Sequence, residues 1–243
     1  MSKTTAQVGG TRIINTHEDV YIHNHEKESQ SIHILGSRLV CAPLSQGCIL
    51  IPKCASTSLK NIGLDQNYEW LETKYEYDPN LKFMATIREP WERYISGYYE
   101  YLCRSMDIKF LINETKPHSP QDLTLQKIMN FCDNSFLNDK ILFDEHTMPQ
   151  YYFIKPFTNN LITFINIKDI EKYYPLWFGD NYSPHYLYAR SNEELYNIIK
   201  DYLNEKREKD IGWFSKWMKY FEGDYKLYYL DSGKEYRILL NRS

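Results

Sequence analysis

The chain has 243 residues, enough for one sizeable core or at most two small domains. Its charge is −3, from 29 basic and 32 acidic residues, which excludes a protein that coats polyanions electrostatically and argues against nucleic acid as a partner. Tyrosine is abundant, at 22 residues. Glycine and proline are scarce at 10 each, well under a usual combined share of roughly 12%, so a glycine-lined phosphate loop is not expected.

Residues 1–30 are polar. Their three histidines, His17, His23 and His25, are read as part of a solvated arm because no further ligand follows at metal-site spacing. No run in the chain has the length of a signal peptide's apolar core or of a membrane span, so a soluble, cytoplasmic protein is expected. The five cysteines form no CxxC pair and are read as reduced and mostly structural.

From Ser31 the texture changes. Residues 31–35 and 38–41 read as short strands, and Gly47-Cys48-Ile49-Leu50-Ile51 as a central strand buried on both faces. A polar loop follows, and a helical pattern begins at Leu59. A second buried strand spans 81–87 and ends at Arg88-Glu89-Pro90. Pro90 sits well in the first turn of a helix running to about Arg104. A polar loop covers 115–122, a helix begins near Leu123, and a third buried strand spans 161–167, with Asp169 as the expected cap of the next helix. Ser191-Asn192-Glu193-Glu194 reads as a capping box opening a helix to about Lys209. The tail, 213–243, is aromatic and reads as less regular. Strands alternating with helices imply an α/β fold with a central, mostly parallel sheet, as one domain over residues 31–243.

The loop after the first central strand carries chemistry. Cys54, Ala55, Ser56, Thr57 and Ser58 are small residues entering a helix, where backbone N–H groups and the positive helix end favour an anion. Lys53 adds a point charge. It stands at the loop's entrance rather than its exit and lacks the preceding glycine of an ATP-binding P-loop. Arg88 leaves the end of a strand, and Ser96 lies eight residues later on a helix, so the two can converge on a second phosphate. Arg93 reads by default as a solvated helix arginine.

Ile51-Pro52-Lys53-Cys54-Ala55-Ser56-Thr57-Ser58-Leu59 resembles the 5′-phosphosulfate loop of sulfotransferases that use 3′-phosphoadenosine 5′-phosphosulfate (PAPS). Residues 87–98, with Arg88, Pro90, Arg93, Ser96 and Tyr98, resemble that family's 3′-phosphate motif. Asp144-Glu145-His146-Thr147-Met148-Pro149-Gln150 is similar to a stretch of the membrane-bound carbohydrate sulfotransferases, with Thr147 in place of the usual Trp.

The resemblance covers roughly 48–172 and implies a P-loop-like sulfotransferase architecture. It implies PAPS as cofactor, 3′,5′-ADP as product, no metal, and a saccharide or small-molecule acceptor. It implies that Lys53 and the N–H groups of residues 54–58 hold the 5′-phosphate side, and that Arg88 and Ser96 hold the 3′-phosphate. His146 is the candidate general base, with His118, His185, Glu72 and Glu76 behind it. Arg207 to Trp213 is similar to a basic segment that some sulfotransferases fold over the 3′-phosphate. A small-molecule or nucleotide kinase and a non-catalytic nucleotide-binding module are the competing readings.

Overall fold

The computed structural model describes residues 4–8, 11–15, 18–23, 38–41, 46–65, 69–72, 81–106, 125–158, 160–179 and 192–241. The strand expected at 31–35, the loop at 115–122, and Ser191, His17, His25, His118, His185 and Glu76 lie outside them.

The described residues form nine strands and seven α-helices. The strands are β1 (Thr4–Val8), β2 (Thr11–Asn15), β3 (Glu18–His23), β4 (Arg38–Cys41), β5 (Gln46–Leu50), β6 (Glu69–Glu72), β7 (Lys82–Ile87), β8 (Leu161–Asn166) and β9 (Glu235–Asn241). The helices are α1 (Ser56–Asp65), α2 (Pro90–Ser105), α3 (Leu125–Ser135), α4 (Tyr151–Ile154), α5 (Ile170–Phe178), α6 (Glu193–Lys209) and α7 (Ile211–Tyr228). β1 and β2 pair antiparallel with each other. The other seven strands form one open sheet in the order β3-β9-β8-β7-β5-β4-β6.

The sheet's central strands β5, β7 and β8 run parallel, as their continuous apolar runs imply. Antiparallel pairing appears toward the edges, where β9 joins β8 and where β4 joins β5 and β6. β3, inside the stretch read as a polar arm, pairs parallel with β9 at one edge.

The side-chain period of two explains why these strands carry no polar face. Ile49, Phe83, Ala85, Ile87, Ile162 and Phe164 point one way and pack with α4 and Leu227 of α7. Cys48, Leu50, Met84 and Ile165 point the other way, against Leu59 and Ile62 of α1 and Tyr174 and Phe178 of α5. Thr86 is the polar exception, and its hydroxyl meets the Tyr174 hydroxyl at 2.6 Å. Helices therefore cover both faces, and the fold is α/β.

A third apolar cluster holds most of the surplus aromatics. Trp91, Tyr94 and Tyr98 of α2 meet Phe136, Phe143, Trp213, Trp217 and Phe221. Trp217 stacks on Phe221 at 4.2 Å, and Trp91 meets Trp217 edge-on at 5.0 Å. Three of the polar tips find backbone or amide partners: Tyr94 Oη donates to the Ile141 carbonyl, Trp213 Nε1 to the Lys140 carbonyl and Trp91 Nε1 to Asn204 Oδ1.

Three local expectations change. The tail contains the 18-residue helix α7, because Trp213, Trp217, Phe221, Asp224 and Leu227 recur at helical spacing and Asp210 caps the start by accepting from Trp213 N at 3.0 Å. α6 is capped by Asn192, which accepts from Leu195 N. Asp169 makes no capping bond ahead of α5. Asn166 instead accepts from Lys168 N in the 3₁₀ turn that follows β8.

Gly97, in mid-α2, marks where the helix meets the turn around His146. A Cβ there would lie 2.0 Å from the His146 carbonyl oxygen, a backbone atom with no side-chain freedom to yield. Gly97→Ala is expected to destabilise the protein by about 1–3 kcal/mol. Gly212→Ala, in the first turn of α7 where the nearest atom is 3.8 Å away, is expected to be neutral or stabilising by up to about 1 kcal/mol. Urea denaturation of the two variants checks the contrast.

Candidate functional site

The candidate site forms where β5 and β7 end, at the C-terminal edge of parallel strands, which is where open α/β sheets place ligands. After β5 the backbone turns sharply. Cys54 N donates to the Ile51 carbonyl at 3.1 Å, and Lys53 and Ala55 adopt positive φ of 66° and 59°. Left-handed backbone without glycine costs energy that the surroundings must impose, and such residues gather at ligand-binding turns. The first helical bond of α1 runs from Leu59 N to Ala55 O at 3.0 Å, so the amides of residues 56–58 point out of the helix start with no intrahelical acceptor.

The small residues divide in role. Thr57 is exposed on the first turn and Ser56 half-buried, so both stand at the helix mouth. Ser58 is buried. The Cys54 amide, expected in the anion cradle, is committed to Ile51, and its thiol donates to Gln150 Oε1 at 3.0 Å. Burial pushes that thiol up to about 11, so Cys54 shapes the loop as a neutral group.

Arg93 departs furthest from its sequence reading. It is fully buried. Its guanidinium donates to the Pro52 carbonyl at 2.9 Å and to the Met148 carbonyl, tying the loop to the segment before α4. The spacing of α2 explains this: Arg93, Gly97, Glu100 and Arg104 follow one another at helical intervals, forming a polar stripe on an otherwise aromatic helix.

Gln150 is the second fastening. Its Oε1 accepts from Arg88 N at 2.9 Å and its Nε2 donates to the Arg88 carbonyl at 2.8 Å, so one amide grips both backbone groups at the end of β7 while also accepting from Cys54. Asp224 of α7 accepts from the Gln150 and Tyr151 backbone amides at 2.7 and 3.0 Å. Complete burial raises Asp224 to about 6, against the opposing pull of Arg93 and those N–H groups.

Lys53 Nζ lies 3.0 Å from Glu100 Oε2. Glu100 Oε1 accepts from Arg104 Nε at 3.0 Å, and Arg104 Nη2 lies 3.2 Å from His146 Nε2. Arginine can only donate, so Nε2 accepts and Nδ1 carries the proton, which it donates to Asp144 Oδ2 at 3.0 Å. Glu145 Oε1 lies 3.9 Å from the same Nε2. Lys53 and His146, far apart in sequence, are thus linked through Glu100 and Arg104.

Burial, then the Arg104 and Arg88 charges, lower Lys53 to about 8, with Cys103 and Asp144 pulling the other way. Burial and the neighbouring Arg104 and Lys53 also hold His146 below its ordinary value, against the stabilising Asp144 carboxylate. His146 is therefore a neutral imidazole at neutral pH. Burial pushes the Asp144 carboxyl up, but the side-chain and backbone hydrogen bonds from His146 and the Arg104 charge outweigh it and leave it lowered.

Thr147 fills the position that resembles a Trp. Its hydroxyl accepts from Phe143 N and Asp144 N and donates to the Asp144 carbonyl, fixing the turn that presents Asp144 and His146. Arg88 lies 3.6 Å from Glu92 and close enough to lower Lys53. Ser96 is half-buried on α2, one helical turn before Glu100. Arg207 lies over the Trp91 and Phe214 rings, at 5.1 and 5.8 Å, at the end of α6.

Comparison with protein-family models, with curated proteins and with solved structures finds no match for this chain. Among the described residues no helix is long and apolar enough to cross a membrane.

Arg93 is expected to be structurally indispensable. Arg93→Met leaves the Pro52 and Met148 carbonyls without their donor and removes the charge that offsets buried Asp224, at an expected cost of about 3–5 kcal/mol. Arg93→Lys is expected to recover little, because one ammonium cannot reproduce the guanidinium fork. Denaturation midpoints at pH 7 check both.

Proposed function

We propose that the protein transfers a sulfuryl group from PAPS to a hydroxyl, or an amine, of a carbohydrate or small metabolite. The observation that carries this is the meeting at one sheet edge of Lys53, on a glycine-free turn with two left-handed residues, and Arg88, at the end of the neighbouring parallel strand. The helix start at residues 56–58 adds outward amides beside them. Burial lowers the Lys53 pKa, and two neighbouring cations, Arg104 and Arg88, lower it further; a polyanion is the ligand chemistry that relieves their repulsion.

The residues present fit such a donor. Lys53, the amides of 56–58 and the Thr57 hydroxyl are disposed to hold its 5′-phosphate side, and Arg88 with Ser96 its 3′-phosphate. PAPS supplies an activated sulfuryl group on a phosphate leaving group. Lys53 neutralises charge that develops on the departing oxygen. His146, oriented by Asp144, takes the acceptor's proton on Nε2. The helix and loop amides position the reactants with little reorganisation.

The kinase reading lacks the glycine before the lysine, and Lys53 precedes the loop rather than ending it. A module that binds without turnover would keep the same cations.

Calorimetry with 3′,5′-ADP against ATP plus Mg²⁺ tests the donor. Binding of 3′,5′-ADP in preference to ATP supports the proposal, and the reverse preference overturns it in favour of a kinase. Arg88→Ala should weaken 3′,5′-ADP about 10–100-fold, and Lys53→Ala should lower kcat about 10²–10³-fold. Because Lys53 loses its charge above about pH 8, affinity for 3′,5′-ADP should fall as pH rises from 7 to 9, and Lys53→Arg should flatten that slope.

Incubation with PAPS and a panel of sugars, alcohols and amines, followed by mass detection of an added SO₃, identifies the acceptor. With an acceptor in hand, His146→Gln should abolish the acid limb of the kcat profile, which lies below pH 6.5. Wild-type turnover with an unchanged profile would move the base to a carboxylate.

A further inference from the structure

Each of the three central parallel strands is followed by a cation. Lys53 lies three residues past β5, Arg88 directly past β7, and Lys168 two residues past β8. Lys53 and Arg88 have parts in the function proposed above, and Lys168 has none. Ile87 and Asn166 are register partners, so Arg88 and Lys168 leave the sheet from the same rung of neighbouring strands.

The last turn of α7 reaches both strand ends. Tyr225 Oη donates to Glu89 Oε1 at 3.2 Å on the β7 side, and Tyr228 Oη accepts from Lys168 Nζ at 3.4 Å on the β8 side. That long bond to a neutral phenol is the one hydrogen bond Lys168 Nζ makes among the described residues, and Lys168 is exposed. Tyr228, then the Glu92 and Glu89 carboxylates, raise its pKa, so the ammonium is charged and near both acids.

The two acids differ in how firmly they are held. Glu89 caps α2: its Oε2 accepts from Glu92 N at 2.6 Å while its Oε1 holds Tyr225. Glu92 is held loosely. Its Oε2 lies 3.6 Å from Arg88 Nε, beyond hydrogen-bond reach, and its side chain is 54% exposed. An ion pair this exposed is weak and yields to a better anion.

The place of Glu92 makes that weakness matter. Arg88 stands four residues before it and Ser96 four residues after, so Glu92 and Ser96 share a face of α2. A phosphate held by Arg88 and Ser96 therefore settles beside the Glu92 carboxylate. A phosphate monoester carries nearly two negative charges. One guanidinium does not offset both that phosphate and an adjacent carboxylate. A second cation near Glu92 does, and Lys168 supplies it.

We propose that Lys168 is a specificity-determining residue of the donor site: it joins Arg88 and Ser96 on the 3′-phosphate, which displaces Glu92 from Arg88, and so selects nucleotides that carry a 3′-phosphate over those that do not. Lys168 has this role only with a donor of the kind proposed above, and to that extent rests on that reading. Glu92 sets the threshold. A ribose hydroxyl carries no charge with which to displace it, whereas a dianion gains two cations by doing so.

Calorimetry on the full chain with 3′,5′-ADP and 5′-AMP, which differ only in the 3′-phosphate, tests this. The wild type should bind 3′,5′-ADP more tightly. Lys168→Met should weaken 3′,5′-ADP about 5–20-fold and 5′-AMP less than about twofold. Lys168→Arg keeps the charge and should restore most of the loss. Because Lys168 is exposed, its denaturation midpoint should stay in place, which separates lost binding from lost folding. Glu92→Gln removes the competing anion and should tighten 3′,5′-ADP about two- to fivefold.

If the wild type prefers 3′,5′-ADP but Lys168→Met loses nothing, or loses equally on both nucleotides, the assignment of Lys168 is overturned and the donor reading stands. Weaker 3′,5′-ADP binding in Glu92→Gln overturns the displacement, because the carboxylate would then be positioning Arg88 for the ligand. A wild type that binds 3′,5′-ADP no better than 5′-AMP overturns Lys168 and the donor reading together.

Discussion

The geometry of the site depends on one buried amide. Gln150 joins the Cys54 thiol of the β5–α1 loop to both backbone groups of Arg88 at the end of β7, and Asp224 holds Gln150's own backbone from α7. A buried amide with its donors and acceptors satisfied specifies position more narrowly than apolar packing does, because each unmade bond costs about 1–3 kcal/mol. Arg93 works in parallel, fixing Pro52 and Met148 from the neighbouring helix. Together they fasten the strained turn at Lys53 and Ala55 to a rigid base, which is what a non-glycine left-handed turn requires.

Around that base the charges are arranged in two tiers. The inner tier, Arg93 with Asp224, is fully buried and structural. The outer tier, Lys53, Glu100, Arg104, His146 and Asp144, ranges from nearly buried to half-exposed. Its members share partners: Glu100 meets both Lys53 and Arg104, and His146 both Arg104 and Asp144. Low exposure of Glu100 and His146 strengthens each contact, while Arg104 reaches them from the surface. A net charge of −3 is compatible with polyanion chemistry here because only a few placed cations are required.

The aromatic surplus serves a different end. With few glycines and short strands, the chain builds a separate layer in which α2, α3, α6 and α7 interlock through tryptophan, tyrosine and phenylalanine rings. Large rings bury much surface per residue and lose little side-chain entropy. This layer anchors the face of α2 opposite its polar stripe, so the stripe of Arg93, Glu100 and Arg104 is presented on a stiff support.

The sequence by itself determined the elements with strong local signals. The double-faced apolar runs at 47–51, 81–87 and 161–167 became the parallel centre of the sheet, and Pro90 opened α2. The lysine loop and the strand-end arginine stood out because cations follow buried strands there, and the Asp144–Gln150 segment stood out only through its resemblance to a sulfotransferase stretch. Tertiary structure decided the rest. The tail became α7 because its aromatic stripe found α2 to pack against, a partner invisible in a local window. Arg93 became a buried clamp because Pro52 and Met148, 41 and 55 residues away, bring their carbonyls to it. Glu100 and Arg104 join the site for the same reason: on an isolated helix they are an ordinary i,i+4 ion pair, and only the fold places Lys53 at one end of that pair and His146 at the other.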